Sequence, residues 1–134
     1  MAHALSIAQT AGTANIIEWS KLSLGSLHAP VIRVTRILFD DNDSPIAVEE
    51  VVLPLDRLPG LAANGGDVPD ITELAKRHGL SLGRAAERIS IVPATRDVAS
   101  HLGIVAGKDV LKLDRVTETA DGTPIEWRVA YRKI

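Results

Sequence analysis

Few side chains in this sequence sit where they could do chemistry, and the first is a lone arginine. Arg36 lies in the run Val31 to Phe39, on the same alternate-residue face as Ile32, Val34 and Leu38. A charge on an otherwise apolar face needs a partner, because burying it unpaired costs several kcal/mol. Two partners are open to it. One is an anionic or hydroxyl-rich ligand gripped by the planar guanidinium fork. The other is an internal ion pair with Glu49 or Glu50, carried by the next run, Ile46 to Leu53. Glu49 alternates with Ala47, Val51 and Leu53, whereas Glu50 alternates with Ile46, Val48 and Val52. Both faces are apolar, so periodicity leaves open which glutamate points inward. An inward carboxylate would accept hydrogen bonds from hydroxyls or an ammonium; an outward one would be a solvated charge.

The remaining reactive residue types form no constellation. His3, His28, His78 and His101 are scattered without ligand-like spacing. Asp40, Asp41 and Asp43 lack the glycine and terminal glutamate of a calcium loop and read as a turn. Gly103 to Gly107 is too short for a phosphate-binding loop, and no Lys-Ser/Thr follows it. A Gly-x-Ser-x-Gly elbow is also lacking. There is no cysteine, which rules out disulfides, thiol catalysis and cysteine-ligated metal and fits a reducing cytosol. The sequence therefore predicts no catalytic residue, no metal site and no cofactor.

Partners are bounded by charge and hydropathy. The net charge is -2 and basic residues alternate with acidic ones, so a nucleic-acid grip by this chain alone is not expected. No apolar run approaches the roughly 20 residues of a membrane span. Met1-Ala2-His3-Ala4 lacks the basic and apolar regions of a secretory signal. A cytoplasmic protein without a membrane partner is expected.

These residues must be positioned by a chain of 134 residues, the length of one domain. His3 to Thr10 reads as a short helix ended near Gly12, and Ala14 to Leu24 as a strand carrying Trp19. Val31 to Phe39 and Ile46 to Leu53 read as a hairpin around Asp40 to Ser44, whose side chains bond their own backbone. Pro59-Gly60 and Asn64-Gly65-Gly66 mark a loop. Asp70 is a helix N-cap with Glu73 as capping-box partner and Gly79 past the end. Ala85 to Val92 is a strand, and Thr95 caps a short helix that Gly103 ends. Val110 to Glu118 and Pro124 to Arg132 close the chain as a hairpin around Asp121-Gly122. In the last strand Ile125, Trp127, Val129 and Tyr131 fall on one face and Glu126, Arg128, Ala130 and Arg132 on the other. The class is α+β, a mainly antiparallel sheet with a few short helices.

The order of motifs resembles one family. Arg36, the turn at Asp40 to Ser44, Pro45-Ile46-Ala47-Val48-Glu49 and Leu53-Pro54 are similar to the first hairpin of the UTRA (UbiC transcription-regulator-associated) domain. Pro59-Gly60-Leu61, the helix from Glu73 to Gly79 and Ala86-Glu87 follow in the same order. Leu102-Gly103-Ile104, Gly107, Val110-Leu111, Leu113 and Arg115 come next. Asp121-Gly122, Pro124-Ile125-Glu126 and Tyr131 complete the resemblance, which runs from residue 31 to 132.

The resemblance implies a chorismate-lyase-like fold and a single ligand-sensing domain over residues 1–134. It implies a GntR-family regulator of the HutC subfamily, a homodimer that binds a small polar metabolite as effector. DNA would be reached only through a winged helix-turn-helix that precedes the domain in full-length regulators and is not expected in this chain. Such a module is not an enzyme; the alternatives are a chorismate-lyase-like enzyme and a dimerisation module without a ligand. By resemblance the pocket glutamate falls on Glu49, and effector contacts are implied for Arg36, Glu49, Glu126 and Tyr131. Pattern alone would expose Glu126 and pack Tyr131 in the core, and only a bulge would bring both to one side. Family members that bind amino-sugar phosphates carry a second arginine where this chain has Leu38. They carry serine and tyrosine where it has Pro69 and Ile71. A less charged or more apolar effector is therefore expected.

Overall fold

The β-branched runs on either side of Asp40 to Ser44 form two adjacent inner strands of the sheet. In the computed structural model, which describes residues 3–61 and 67–134, they are β2 (Pro30–Phe39) and β3 (Pro45–Pro54). Asp40 closes the turn between them, its Oδ1 accepting from the backbone N–H of Asn42 at 2.9 Å and of Ser44 at 3.0 Å. The closing hairpin forms as expected, β5 (Asp109–Thr119) and β6 (Pro124–Lys133). With β1 (His3–Thr13) and β4 (Leu82–Pro93) they make one six-stranded, fully antiparallel sheet in the order β1-β2-β3-β6-β5-β4. The expected loop at Asn64-Gly65-Gly66 and the terminus at Met1-Ala2 lie outside the described residues.

Two expectations for the first 24 residues are reversed. His3 to Thr10 is not a helix but part of β1, paired along β2 from His3 opposite Phe39 to Thr13 opposite Pro30. Its alanine-rich composition suits a helix locally, yet the edge of β2 offers a row of backbone partners that an isolated short helix cannot match. Ala14 to Leu24 is not a strand but carries helix α1 (Ile16–Leu22). The deciding signal is Asn15-x-x-Glu18: Asn15 Oδ1 accepts from the Glu18 N–H, and Glu18 accepts from the Asn15 N–H, both at 2.8 Å. That reciprocal capping box outweighs the β preference of Ile16 and Ile17.

The other two helices are short and capped as expected. Asp70 caps α2 (Ile71–Arg77), and Thr95 caps α3 (Arg96–Leu102), which Gly103 ends at φ +66°. Glu73, expected to complete a capping box, instead bonds Arg77 one turn on at 3.2 Å. A 3-10 turn at Leu55–Arg57 follows β3. There Arg57 donates to the carbonyls of Leu22, Ser23 and Pro124 at 2.6–2.8 Å, so one guanidinium serves the open C-terminal carbonyls of α1. Gly83 sits in a β4 irregularity where a Cβ would lie 2.5 Å from the Thr119 carbonyl oxygen, too close for any side chain.

At the edges of the sheet β1 and β4 stay largely exposed, whereas its inner strands are covered on both faces. On one, here the front, α2 and the segment before it pack Leu58, Val68, Ile71 and Leu74 onto Ile32, Val34, Val51 and Leu53. On the back, α1 and its flanks pack Leu22, Leu24 and Ala29 onto Val31 and Val52, with Trp127 alongside. Further along, α3 packs Val98, Ala99 and Leu102 onto Val48 and Val110. Each fully buried side chain of this kind contributes about 1.5–3 kcal/mol relative to exposure.

Candidate functional site

The register of β2 on β3 decides which glutamate faces Arg36. Arg36 stands directly opposite Glu49, and Thr35 opposite Glu50. Glu49 therefore shares the front face with Arg36 and is 8% exposed, whereas Glu50 is exposed on the back. Arg36 is equally buried and both readings of it meet here. Its Nη1 lies 3.9 Å from Glu49 Oε1, and its Nη2 donates to the carbonyl oxygens of Val68 at 2.5 Å and Pro69 at 3.3 Å. The guanidinium thus pins the segment leading into α2 while facing a carboxylate.

A second arginine closes on the same carboxylate. Arg128 Nη1 is 3.1 Å from Glu49 Oε2, so Glu49 is held between two cations. Around them opens a cleft of about 410 Å³, lined also by Leu5, Leu38, Asp67 and Asp70. Its lining is more polar than that of most small-molecule sites: two arginines, three carboxylates and Ser6 face Ala4, Leu5, Leu38 and Val68, which suits a polar rather than an apolar guest.

Glu126 lies one step deeper on the front face. Exposure was expected from its opposition to Trp127, but only 2% of it is exposed, because β6 is a central strand with both faces covered. Arg115 Nη2 is 3.8 Å from Glu126 Oε1. Arg115 Nε, Thr117 Oγ1 and Glu126 Oε1 are buried without a hydrogen-bond partner among the described residues. Burial pushes the Glu126 carboxyl above the usual carboxylate range, and Glu49 adds to this, against the opposing pull of Arg128, Arg115 and Arg36.

Tyr131 does not join the others. A bulge does occur in β6, but it precedes Glu126: Thr117 pairs with Glu126 and Glu118 with Pro124, leaving Ile125 as the extra residue. Ile125 accordingly packs into the front cluster rather than beside Trp127, correcting its expected face. From Glu126 on, the alternation is regular, and Tyr131 falls on the back against the α3 cluster. Burial there raises its hydroxyl's pKa, with Glu50 and Asp114 contributing. Sequence reasoning missed Arg128, Arg115 and Thr117 as site residues. Arg128 was legible, since it shares the two-residue period of Glu126.

Comparison with known proteins identifies the domain. The model of the UTRA domain family matches residues 6–133. The chain belongs to the UTRA domain family. Among curated relatives, the HTH-type transcriptional regulator Rv0792c of Mycobacterium tuberculosis is 32% identical over 96 residues, which are 69% of this chain. The match spans only 36% of that regulator's length. The fold of this UTRA domain is shared with solved structures. The effector domain of PhnF from Mycobacterium smegmatis superposes with a TM-score of 0.89 at 24% identity, covering 99% of this chain and 81% of that one. The ligand-binding domain of a GntR-family transcriptional regulator from Bordetella bronchiseptica gives 0.86 at 24% identity, covering 98% and 82%. Among the described residues, the six-stranded antiparallel sheet with three short α-helices is the chorismate-lyase-like architecture of these GntR regulator domains.

Proposed function

We propose that this UTRA domain senses a small polar metabolite in the front-face cleft and, as a homodimer, passes its occupancy to a DNA-binding part of a full-length GntR regulator of the HutC subfamily. The observation that carries the reading is Glu49 held between Arg36 and Arg128 at the mouth of the cleft. The guanidinium groups can receive a carboxylate or hydroxyls, and Glu49 can accept from hydroxyl or amine donors. Arg36 also grips Val68 and Pro69, so a ligand that draws on Arg36 competes with the anchor of the segment before α2. Such competition gives the ligand different affinities for two conformations, which is what a population shift requires. Glu126 lies beneath this layer, and Tyr131 has no part in it. No step of the reading is catalytic, and the working compartment is the cytoplasm.

The dimer reading is supported by the edge strand β4. Ile89 and Ile91 are 61% and 63% exposed and stand opposite Leu113 and Leu111, forming an apolar strip that a second copy would cover. Sedimentation of the Ile89→Lys variant is expected to show a shift toward monomer.

The test of sensing is a thermal-shift screen of the domain against a metabolite library. A specific binder raises the melting temperature by mass action, and the rise disappears in Glu49→Gln. A screen in which every hit acts equally on Glu49→Gln would sink the reading. Incubation with chorismate is expected to release no 4-hydroxybenzoate; release would favour the enzyme instead.

A further inference from the structure

The back of the same two strands carries a second cavity. Between α1 and the sheet lies a cleft of about 290 Å³ lined by Glu18, Arg33, Thr35, Glu50, Trp127 and Val129. It opens onto a gap in the back-face cover, since α1 packs over the rung of Val52 and Trp127, and α3 over that of Val48 and Tyr131. In the rung between them, Glu50 is exposed and Thr35 half-buried, while Val129 is buried beneath the cavity.

The charges lining this cavity do not cancel. Arg33 Nε and Nη2 each bond Glu18 at 2.7 Å, and Nη2 also donates to the Thr13 carbonyl at 2.7 Å, so that pair is closed. Glu50 has no hydrogen bond or ion pair among the described residues, and neither has the hydroxyl of Thr35 opposite it. The cavity keeps one net negative charge beside an apolar wall of Val52, Val129 and Trp127. Trp127 is fixed in place by its Nε1 bond to Asp114 Oδ1 at 2.9 Å. Asp114, at the next position across the sheet, is itself paired with Lys21, whose Nζ lies 3.5 Å from its Oδ2 and 5.7 Å from the centre of the Trp127 ring.

We propose that this back-face cavity is a second ligand site, one that takes a small organic amine. The ammonium sits on the Glu50 carboxylate and the Thr35 hydroxyl, and the apolar body runs along Val129 and Trp127. The volume is at the lower end of the about 300–1,000 Å³ of small-molecule sites, which sets the ligand's size. This site is independent of the front cleft, because Glu49 and Glu50 project to opposite faces.

The test is isothermal titration with phenethylamine and cadaverine, against phenethyl alcohol and hydrocinnamate as uncharged and anionic matches. In a Trp19→Phe background Trp127 is the only remaining indole of the two in the chain, and its emission reports occupancy. At least one amine is expected to bind saturably and shift that emission, with the alcohol and acid weaker by roughly tenfold or more. Glu50→Gln, at an exposed position, should stay folded by circular dichroism and lose amine affinity by a similar factor, while Glu49→Gln keeps it. Equal binding of the alcohol, undiminished binding by Glu50→Gln, loss of binding in Glu49→Gln, or no response to either amine would each overturn the proposal.

Discussion

The two faces of the sheet draw charged residues from the same strands and use them differently. On the front, Arg36, Glu49 and Arg128 share one carboxylate between two cations, and Arg115 and Glu126 stop short of full hydrogen bonding. On the back, Glu18 and Arg33 form a closed pair: two side-chain bonds at 2.7 Å, a capping box and a carbonyl contact. A closed pair has nothing left to offer a ligand and acts as a staple between α1 and β2. An open network retains donors and acceptors that a guest can complete. Completeness of hydrogen bonding separates the two groups where burial does not, since Glu18 at 3% exposure is more buried than Glu49 at 8%.

Substitutions can break this comparison, beginning with the largest effect. Glu49→Ala leaves Arg36 buried and Arg128 half-buried without their carboxylate, and urea unfolding should show a loss of about 3 kcal/mol. Glu18→Ala should cost less, about 2 kcal/mol, although it removes more hydrogen bonds. The Arg33 side chain is 38% exposed, so water can take over its charge. If Glu18→Ala proves the more damaging, stranding the buried front-face arginines is not the larger cost. Asn15→Ala removes the cap alone and should lower the unfolding free energy by about 1 kcal/mol.

A pH series sharpens the comparison by sign. Glu126 has a raised carboxyl in the folded state, so between the ordinary value of 4.5 and its folded value the native protein holds a proton that the unfolded chain releases. Its contribution makes stability fall as pH rises through that window. Glu18 behaves oppositely. Burial raises its carboxyl, but the Arg33 hydrogen bonds, the Asn15 amide and the Arg33 charge outweigh burial and leave it below 4.5. Its contribution is present above 4.5 and is lost as pH falls through the folded value. Melting temperatures of Glu126→Gln and Glu18→Gln across mildly acidic pH should therefore diverge from the parent in opposite directions. The smallest effect belongs to Glu50→Gln, which should change stability by no more than about 0.5 kcal/mol because its carboxylate is exposed and unpaired.

How much of this was legible depended on whether the signal was local. The two hairpins, the Asp70 and Thr95 caps and the Gly103 stop follow from neighbours a few residues apart, and the structure keeps them. The Asn15-x-x-Glu18 box was equally local, but two β-branched isoleucines inside it suggested a strand. β1 carried no local signal of its own: its partner, β2, begins 17 residues after it ends, and pairing alone makes it extended. The bulge at Ile125 was invisible for a similar reason, since it is defined by a mismatch with β5 rather than by its own residues.

By itself the sequence determined the class, the family resemblance and the presence of Arg36 on an apolar strand face, because side-chain alternation and turn chemistry are properties of short segments. Only the tertiary structure decided that Glu49 rather than Glu50 meets Arg36, that Arg128 completes the group, that Glu126 is buried and that Tyr131 is turned away. Each of those outcomes depends on strand register and on which strands lie at the centre of the sheet. Alternation along one strand fixes which residues share a face; the pairing with neighbouring strands fixes what that face meets.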